Sequence, residues 1–160
     1  MTLRLVLPDP ESTEELARQI VAALPEVPKG WLIQLEGERG SGKSTLARAM
    51  LRHYGHAGSV PSPTYTLVEP YSFPGFIAYH FDLYRIADGG ELEFLGWSVL
   101  DNGLRLVDWP ERVPDLYAGS DVLIALSYAE QGRVAELSAE SERGAELLRS
   151  LAGLSVSYQP

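Results

Sequence analysis

Residues 37–45 read GERGSGKST, and the eight positions Gly37-Glu38-Arg39-Gly40-Ser41-Gly42-Lys43-Ser44 satisfy the pattern G-x-x-x-x-G-K-[ST]. This string constrains the chain more than any other, because it works only as a loop between a strand and a helix. Both flanks comply. Trp31 to Leu35 is a short, mostly apolar run after Pro25 and Pro28, which fits a buried strand, and Leu46, Ala47, Met50, Leu51 and Tyr54 form an apolar stripe that predicts a helix over 43–54, ended by Gly55. The glycines let backbone N–H groups turn inward around phosphate oxygens, the lysine reaches the β- and γ-phosphates, and the serine hydroxyl can ligate Mg²⁺. The N-terminal end of the helix adds partial positive charge. Chance would place such a string in about one chain of this length in 200, so the motif together with its flanks assigns phosphate binding to Gly37, Arg39, Gly40, Ser41, Gly42, Lys43, Ser44 and Thr45.

A phosphate loop only binds. Hydrolysis or transfer needs an acid near the metal, usually at the carboxyl end of a neighbouring strand. Asp82 ends the run Phe76–Phe81 and Asp108 ends Leu104–Val107, so each is a candidate for the metal, with a capping or turn role as the alternative. The loop 59–66, SVPSPTYT, supplies Ser62, Thr64 and Thr66, short hydroxyls of the kind that order around a γ-phosphate in nucleotide switches. His80 reads as a strand residue, and three scattered histidines have no metal spacing.

The rest of the chain alternates strands and helices. Residues 3–7 predict a strand, with Pro8 and Pro10 as breakers. Ser12 and Glu15 read as a capping box before a helix over 13–24. Beyond the loop 55–64 come strands at 65–71 and 76–83 around Phe73-Pro74-Gly75, an acidic helix at 88–97, a strand at 104–107, a hairpin of 121–128 with 133–138, and a closing helix marked by Leu147, Leu148 and Leu151. The pattern points to one α/β, P-loop NTPase-like, three-layer domain over 1–160 with a mixed, partly antiparallel sheet. Cysteine is absent, which excludes disulfides and thiolate metal sites and suits a reducing cytoplasm. No leader or membrane-spanning stretch is apparent, so a cytoplasmic protein without a membrane partner is expected. A net charge of -9 argues against a broad surface for gripping nucleic acid.

Taken together, GERGSGKST, SPTYTLV (62–68), HFDLYR (80–85) and LVDWPER (106–112) resemble, in order and spacing, the bacterial TsaE family, also called YjeE. These are ATPases needed to make threonylcarbamoyladenosine in tRNA. The resemblance covers nearly the whole chain, and the SPT-aromatic-T and H-x-D-x-Y-R strings are more specific than the phosphate loop. It implies ATP and Mg²⁺ as cofactors. Lys43 and Ser44 would meet the phosphates and the metal, Thr64 and Thr66 would lie in the switch loop, and Asp82 would be the acid of the second motif. Asp108 stands where the family usually has a glutamate associated with the metal, one methylene longer, which leaves direct and water-mediated ligation both open. Ser44 replaces the more usual threonine and keeps the hydroxyl. Lys43, Asp82, Asp108 and Thr64 are the implied catalytic set. The implied partners are TsaD and TsaB, whose complex the ATPase would reset between rounds, with tRNA met only through that complex. Arg85 is read as a carboxylate partner in preference to a source of charge for the transition state.

Two other readings compete. A small-molecule kinase would need a lid carrying arginines, and the only lid-sized stretch, 86–103, is acidic and has none. A GTP-dependent switch would commonly carry N-K-x-D, which is absent because lysine occurs only at 29 and 43.

Overall fold

The computed structural model describes residues 1–63, 66–153 and 158–159. Along the chain come β1 (Thr2–Leu7), α1 (Pro10–Ala23), β2 (Leu32–Glu36), α2 (Lys43–His53), β3 (Val68–Phe73), β4 (Phe76–Asp82), α3 (Gly89–Phe94), β5 (Leu104–Asp108), β6 (Val122–Tyr128), β7 (Arg133–Ala139), α4 (Glu142–Ala152) and β8 (Tyr158–Gln159). The described strands form one sheet in the order β3-β4-β5-β2-β6-β7-β1-β8. The segment β4-β5-β2-β6 is parallel, and antiparallel pairs complete both sides. β2 sits at the centre of the parallel segment and is buried on both faces, with Leu32 on one side and Ile33 and Leu35 in the larger core. Pro70 is tolerated because β3 is an edge strand and a missing N–H there breaks no inner ladder.

Alternation along the strands divides the core in two. Ile33, Leu35, Leu104 and Leu106 pack with Leu16 and Ile20 of α1, Leu46 and Met50 of α2, and Leu147 and Leu148 of α4. Each such side chain, fully buried, contributes about 1.5–3 kcal/mol. On the opposite face Leu32, Phe81 and Val107 meet Leu83, Ile86, Leu92, Val113 and Leu116. This thinner layer consists of α3 and 3-10 turns at 97–99, 110–112 and 114–119. The expected three-layer α/β arrangement with a mixed sheet is what the chain forms.

Three boundaries differ by three residues from the sequence reading. α1 begins at Pro10, three residues early, because Asp9 is the cap: its carboxylate accepts from the Ser12 amide at 2.8 Å and the Ser12 hydroxyl at 2.6 Å. Pro10 acts as the first helical residue, where its missing N–H costs nothing, and not as a breaker. Glu15 turns to Arg18 and Gln19 instead of closing a capping box. β3 begins at Val68 and not at 65, since Leu67 has φ 71 and a left-handed residue cannot extend a strand. The helix expected over 88–97 is capped by Asp88 but stops at Phe94, ahead of Gly96 at φ 85. Among the described residues no helix is long and apolar enough to cross a membrane.

Candidate functional site

The carboxyl end of β2 passes into the loop 37–42, which turns into α2 with Gly42 as its left-handed cap (φ 112). The Ser41 amide donates to the Glu38 carbonyl at 3.1 Å and closes the loop. Gly37 has φ 147, and a Cβ there would lie 2.5 Å from both the Leu126 carbonyl oxygen and Ser41 Oγ. That position takes only glycine. The β6–β7 hairpin grips the loop from outside: the Tyr128 hydroxyl donates to the Arg39 carbonyl at 2.8 Å, and Arg133 Nη2 donates to the Gly40 carbonyl at 3.0 Å. The Arg133 guanidinium in turn lies 4.4 Å from the centre of the Tyr128 ring, its register partner. Drawing these carbonyls outward favours the orientation in which neighbouring N–H groups face an anion.

Inside the loop is a cleft of about 250 Å³ bordered by Arg39, Lys43, Ser44, Ser62, Asp82 and Asp108, among others. Asp82 and Asp108 are paired across β4 and β5, so the two strand-terminal acids stand side by side where ligands bind in parallel sheets. Asp82 Oδ1 accepts from the Tyr84 amide at 2.9 Å. Asp108 Oδ2 lies 3.2 Å from His80 Nε2, while the buried Oδ1 has no hydrogen-bond partner among the described residues. Trp109 follows with φ 61 and ψ 48, a left-handed conformation that costs a non-glycine residue about 1–3 kcal/mol and tends to mark functional sites. That twist sets the indole beneath Lys43, whose Nζ is 3.5 Å from the ring centre and also donates to the Gly37 carbonyl. Burial pushes the Lys43 ammonium below its ordinary pKa, and the carboxylates of Asp108, Glu111 and Asp82 recover only part of the shift.

These groups suit a phosphate and a hard cation. A buried ammonium, a carboxylate oxygen without a partner and a helix-capping glycine loop are complementary to a polyphosphate with its metal. Among the described residues no group of three or more His, Cys, Asp or Glu could hold a metal by itself. An ion here would therefore draw on Ser44, a carboxylate, water and phosphate, the mixture Mg²⁺ prefers. An adjoining cleft of about 210 Å³ shares Gly40, Gly42 and Thr45 and extends along Pro8, Asp9, Thr13 and Arg133. Of the α1 residues, Pro10 and Thr13 line this second cleft, whereas the Ser12 hydroxyl is engaged by Asp9.

Lys43, Ser44, Asp82 and Asp108 are thus brought together, with Arg39, Gly40, Gly42 and Thr45 along the same lining. Gly37 and Ser41 shape the loop from beneath. Of the switch hydroxyls, Ser62 borders the cleft, Thr66 is exposed and outside that lining, and Thr64 lies outside the described residues. Arg85 is exposed and does not border the cleft; the guanidinium beside it is Arg39, 4.7 Å from the Tyr84 ring centre. Sequence reasoning missed Tyr128 and Arg133, which act across 89 and 93 residues, and it missed the partner of His80. Only the strand register reveals them.

Strand, glycine loop and helix, with two strand-end acids facing the loop, define a P-loop NTPase-like protein. The chain belongs to the TsaE family: the model for threonylcarbamoyl adenosine biosynthesis protein TsaE matches residues 7–135. The tRNA threonylcarbamoyladenosine biosynthesis protein TsaE of Haemophilus influenzae is 42% identical over 122 residues, covering 75% of this chain and 77% of that one. The protein of that name from Synechocystis is 36% identical over 121 residues, covering 72% and 74%. The crystal structure of Bacillus subtilis YdiB shares the fold with a TM-score of 0.73 at 23% identity, over 95% of this chain and 93% of that one.

Proposed function

We propose that this chain, acting as one domain over 1–160, binds ATP with Mg²⁺ in the Lys43–Asp108 cleft and hydrolyses it slowly. Its turnover resets the TsaD–TsaB pair, which carries out the threonylcarbamoyl transfer to tRNA. The observation that carries the reading is the convergence of Lys43, Ser44 and Asp108 on one cleft at the end of the glycine loop, with the buried Oδ1 of Asp108 lacking a hydrogen-bond partner among the described residues. Lys43 would exchange the Trp109 ring and the Gly37 carbonyl for phosphate oxygens, and Ser44 with Asp108 would hold the metal. A Mg²⁺ held there by Ser44 and Asp108 would supply positive charge to offset the negative charge that develops on the phosphate oxygens. The cleft along Pro8, Thr13 and Arg133 is the place for the base.

Slow intrinsic turnover follows from the site's composition. Catalysis of phosphoryl transfer is mostly positioning and charge stabilisation, and Arg39 stacks on Tyr84 instead of reaching across the cleft. Binding of the TsaD–TsaB pair would complete the set. A kinase is disfavoured because 86–103 does not serve as a lid: Ile86 and Leu92 are buried in the second core. ATP hydrolysis by the purified chain is expected to rise several-fold on adding the TsaD–TsaB pair. Unchanged hydrolysis with ATP still bound would remove the pair from the account, and a screen of nucleosides and sugars as phosphoryl acceptors would then decide for a kinase.

A further inference from the structure

The histidine that read as an ordinary strand residue sits behind the metal-side acid. His80 on β4 is 1% exposed, its Nε2 is 3.2 Å from Asp108 Oδ2, and the two side chains are 2% and 3% exposed. A carboxylate only accepts hydrogen bonds, so Nε2 must carry the proton that joins them. His80 and Asp82 share one face of β4, and Asp82 is the register partner of Asp108, which places the imidazole diagonally behind the acid. His80 does not border the cleft, whereas Asp108 does. One carboxylate oxygen is therefore engaged at the rear, and the other, Oδ1, is the oxygen left for a ligand.

We propose that His80 is a positioning residue that holds Asp108 Oδ2 and thereby makes Asp108 a single-oxygen group toward Mg²⁺ or a metal-bound water. The inference rests on the nucleotide and metal reading above and deepens it. Aspartate reaches less far than glutamate, so its oxygen must be aimed, and a hydrogen bond from an outer partner is how a metal-side carboxylate is commonly fixed. The His80–Asp108 bond does this from inside the sheet, where losing it would leave the second buried oxygen of Asp108 and His80 Nε2 unpaired as well.

Two measurements test it. In wild-type protein without nucleotide or metal, a ¹H–¹⁵N correlation of the imidazole rings should show His80 protonated on Nε2; a proton on Nδ1 with none on Nε2 overturns the proposal. ATP affinity is then measured in EDTA and across a Mg²⁺ titration for wild type, His80→Leu and His80→Gln. His80→Leu should keep the EDTA affinity and need about 10- to 100-fold more Mg²⁺ for the same response. His80→Gln, whose amide can stand in for Nε2–H, should restore most of it. Equal behaviour of the two variants, or an equal loss in EDTA, overturns the positioning role and leaves a structural histidine. A wild-type affinity indifferent to Mg²⁺ overturns the metal reading and this inference together. A normal wild-type response that is unchanged in His80→Leu overturns the inference alone.

Discussion

Replacing Lys43 by alanine is expected to lower ATP turnover by about 100- to 1000-fold, the scale seen when one preorganised donor to developing charge is removed. The ammonium is held at the first residue of α2, buried, between the Trp109 ring and the Gly37 carbonyl, and burial already holds its pKa down. Phosphate is a better partner than either neutral group, so nucleotide binding gains from a cation whose present interactions are weak. Lys43→Arg should not rescue turnover, because a planar fork cannot follow the stem of a compact ammonium past the indole. Fold stability should change little in Lys43→Ala, since the variant gives up one cation–π interaction and one hydrogen bond. Steady-state hydrolysis, with thermal melting as the control, checks both halves. Turnover close to wild type in the variant would remove Lys43 from the chemistry.

The largest effect on stability should come from a residue far from the cleft. Asp121 is 4% exposed and immediately precedes β6. Its Oδ2 accepts from the Leu32 amide at 2.9 Å and from Arg143 Nη2 at 2.8 Å; its Oδ1 accepts from Ser141 Oγ at 2.7 Å and Arg143 Nε at 2.8 Å. One carboxylate thus ties the central strand β2 to the cap and first turn of α4. Asp121→Ala orphans a buried backbone N–H and removes charge-assisted bonds, while the half-exposed Arg143 regains water, so the expected net cost is about 3 kcal/mol. For a chain of this size that lowers Tm by about 6–12 °C. Nucleotide affinity below the transition should not move.

The pH dependence carries a sign. Burial alone would raise the Asp121 pKa, but the hydrogen bonds from Arg143, Leu32 and Ser141 outweigh it and hold the group below the ordinary carboxylate range. A depressed acid contributes stability that is fully present above its unfolded value of about 3.9 and is lost as pH falls through the folded value. The Tm gap between wild type and Asp121→Ala should therefore be flat from neutral pH down to about 5 and narrow below about 4. A gap that widens with acid would contradict the assignment.

What the sequence revealed and what it concealed divide along the range of the interactions. The phosphate loop was legible because glycine positions, lysine and serine act within a few residues and because the flanking strand and helix carry local periodicity. Leu104–Asp108 was legible as a strand because buried parallel strands are short apolar runs, and Asp82 and Asp108 as strand-end acids for the same reason. The start of α1 was misplaced because proline breaks a helix interior yet opens a first turn, and Asp9 outcompeted Ser12 as the cap. The start of β3 could not be read because nothing in the sequence marks Leu67 as left-handed. Pairing of Asp82 with Asp108, the grip of Tyr128 and Arg133 on the loop, and the bond from His80 all depend on strand order. Strand order is set by which faces bury best against each other, and local patterns carry little of that information.

The central claim is that ATP turnover in the Lys43–Asp108 cleft serves repeated rounds of tRNA modification. The most direct measurement is threonylcarbamoyladenosine formed per TsaD–TsaB complex, with and without this chain and with hydrolysable or non-hydrolysable ATP. The account predicts that modification passes beyond one round only with wild-type chain and hydrolysable ATP, and that Lys43→Ala stops it at one. Sustained modification in the absence of the chain, or with Lys43→Ala in its place, would contradict it.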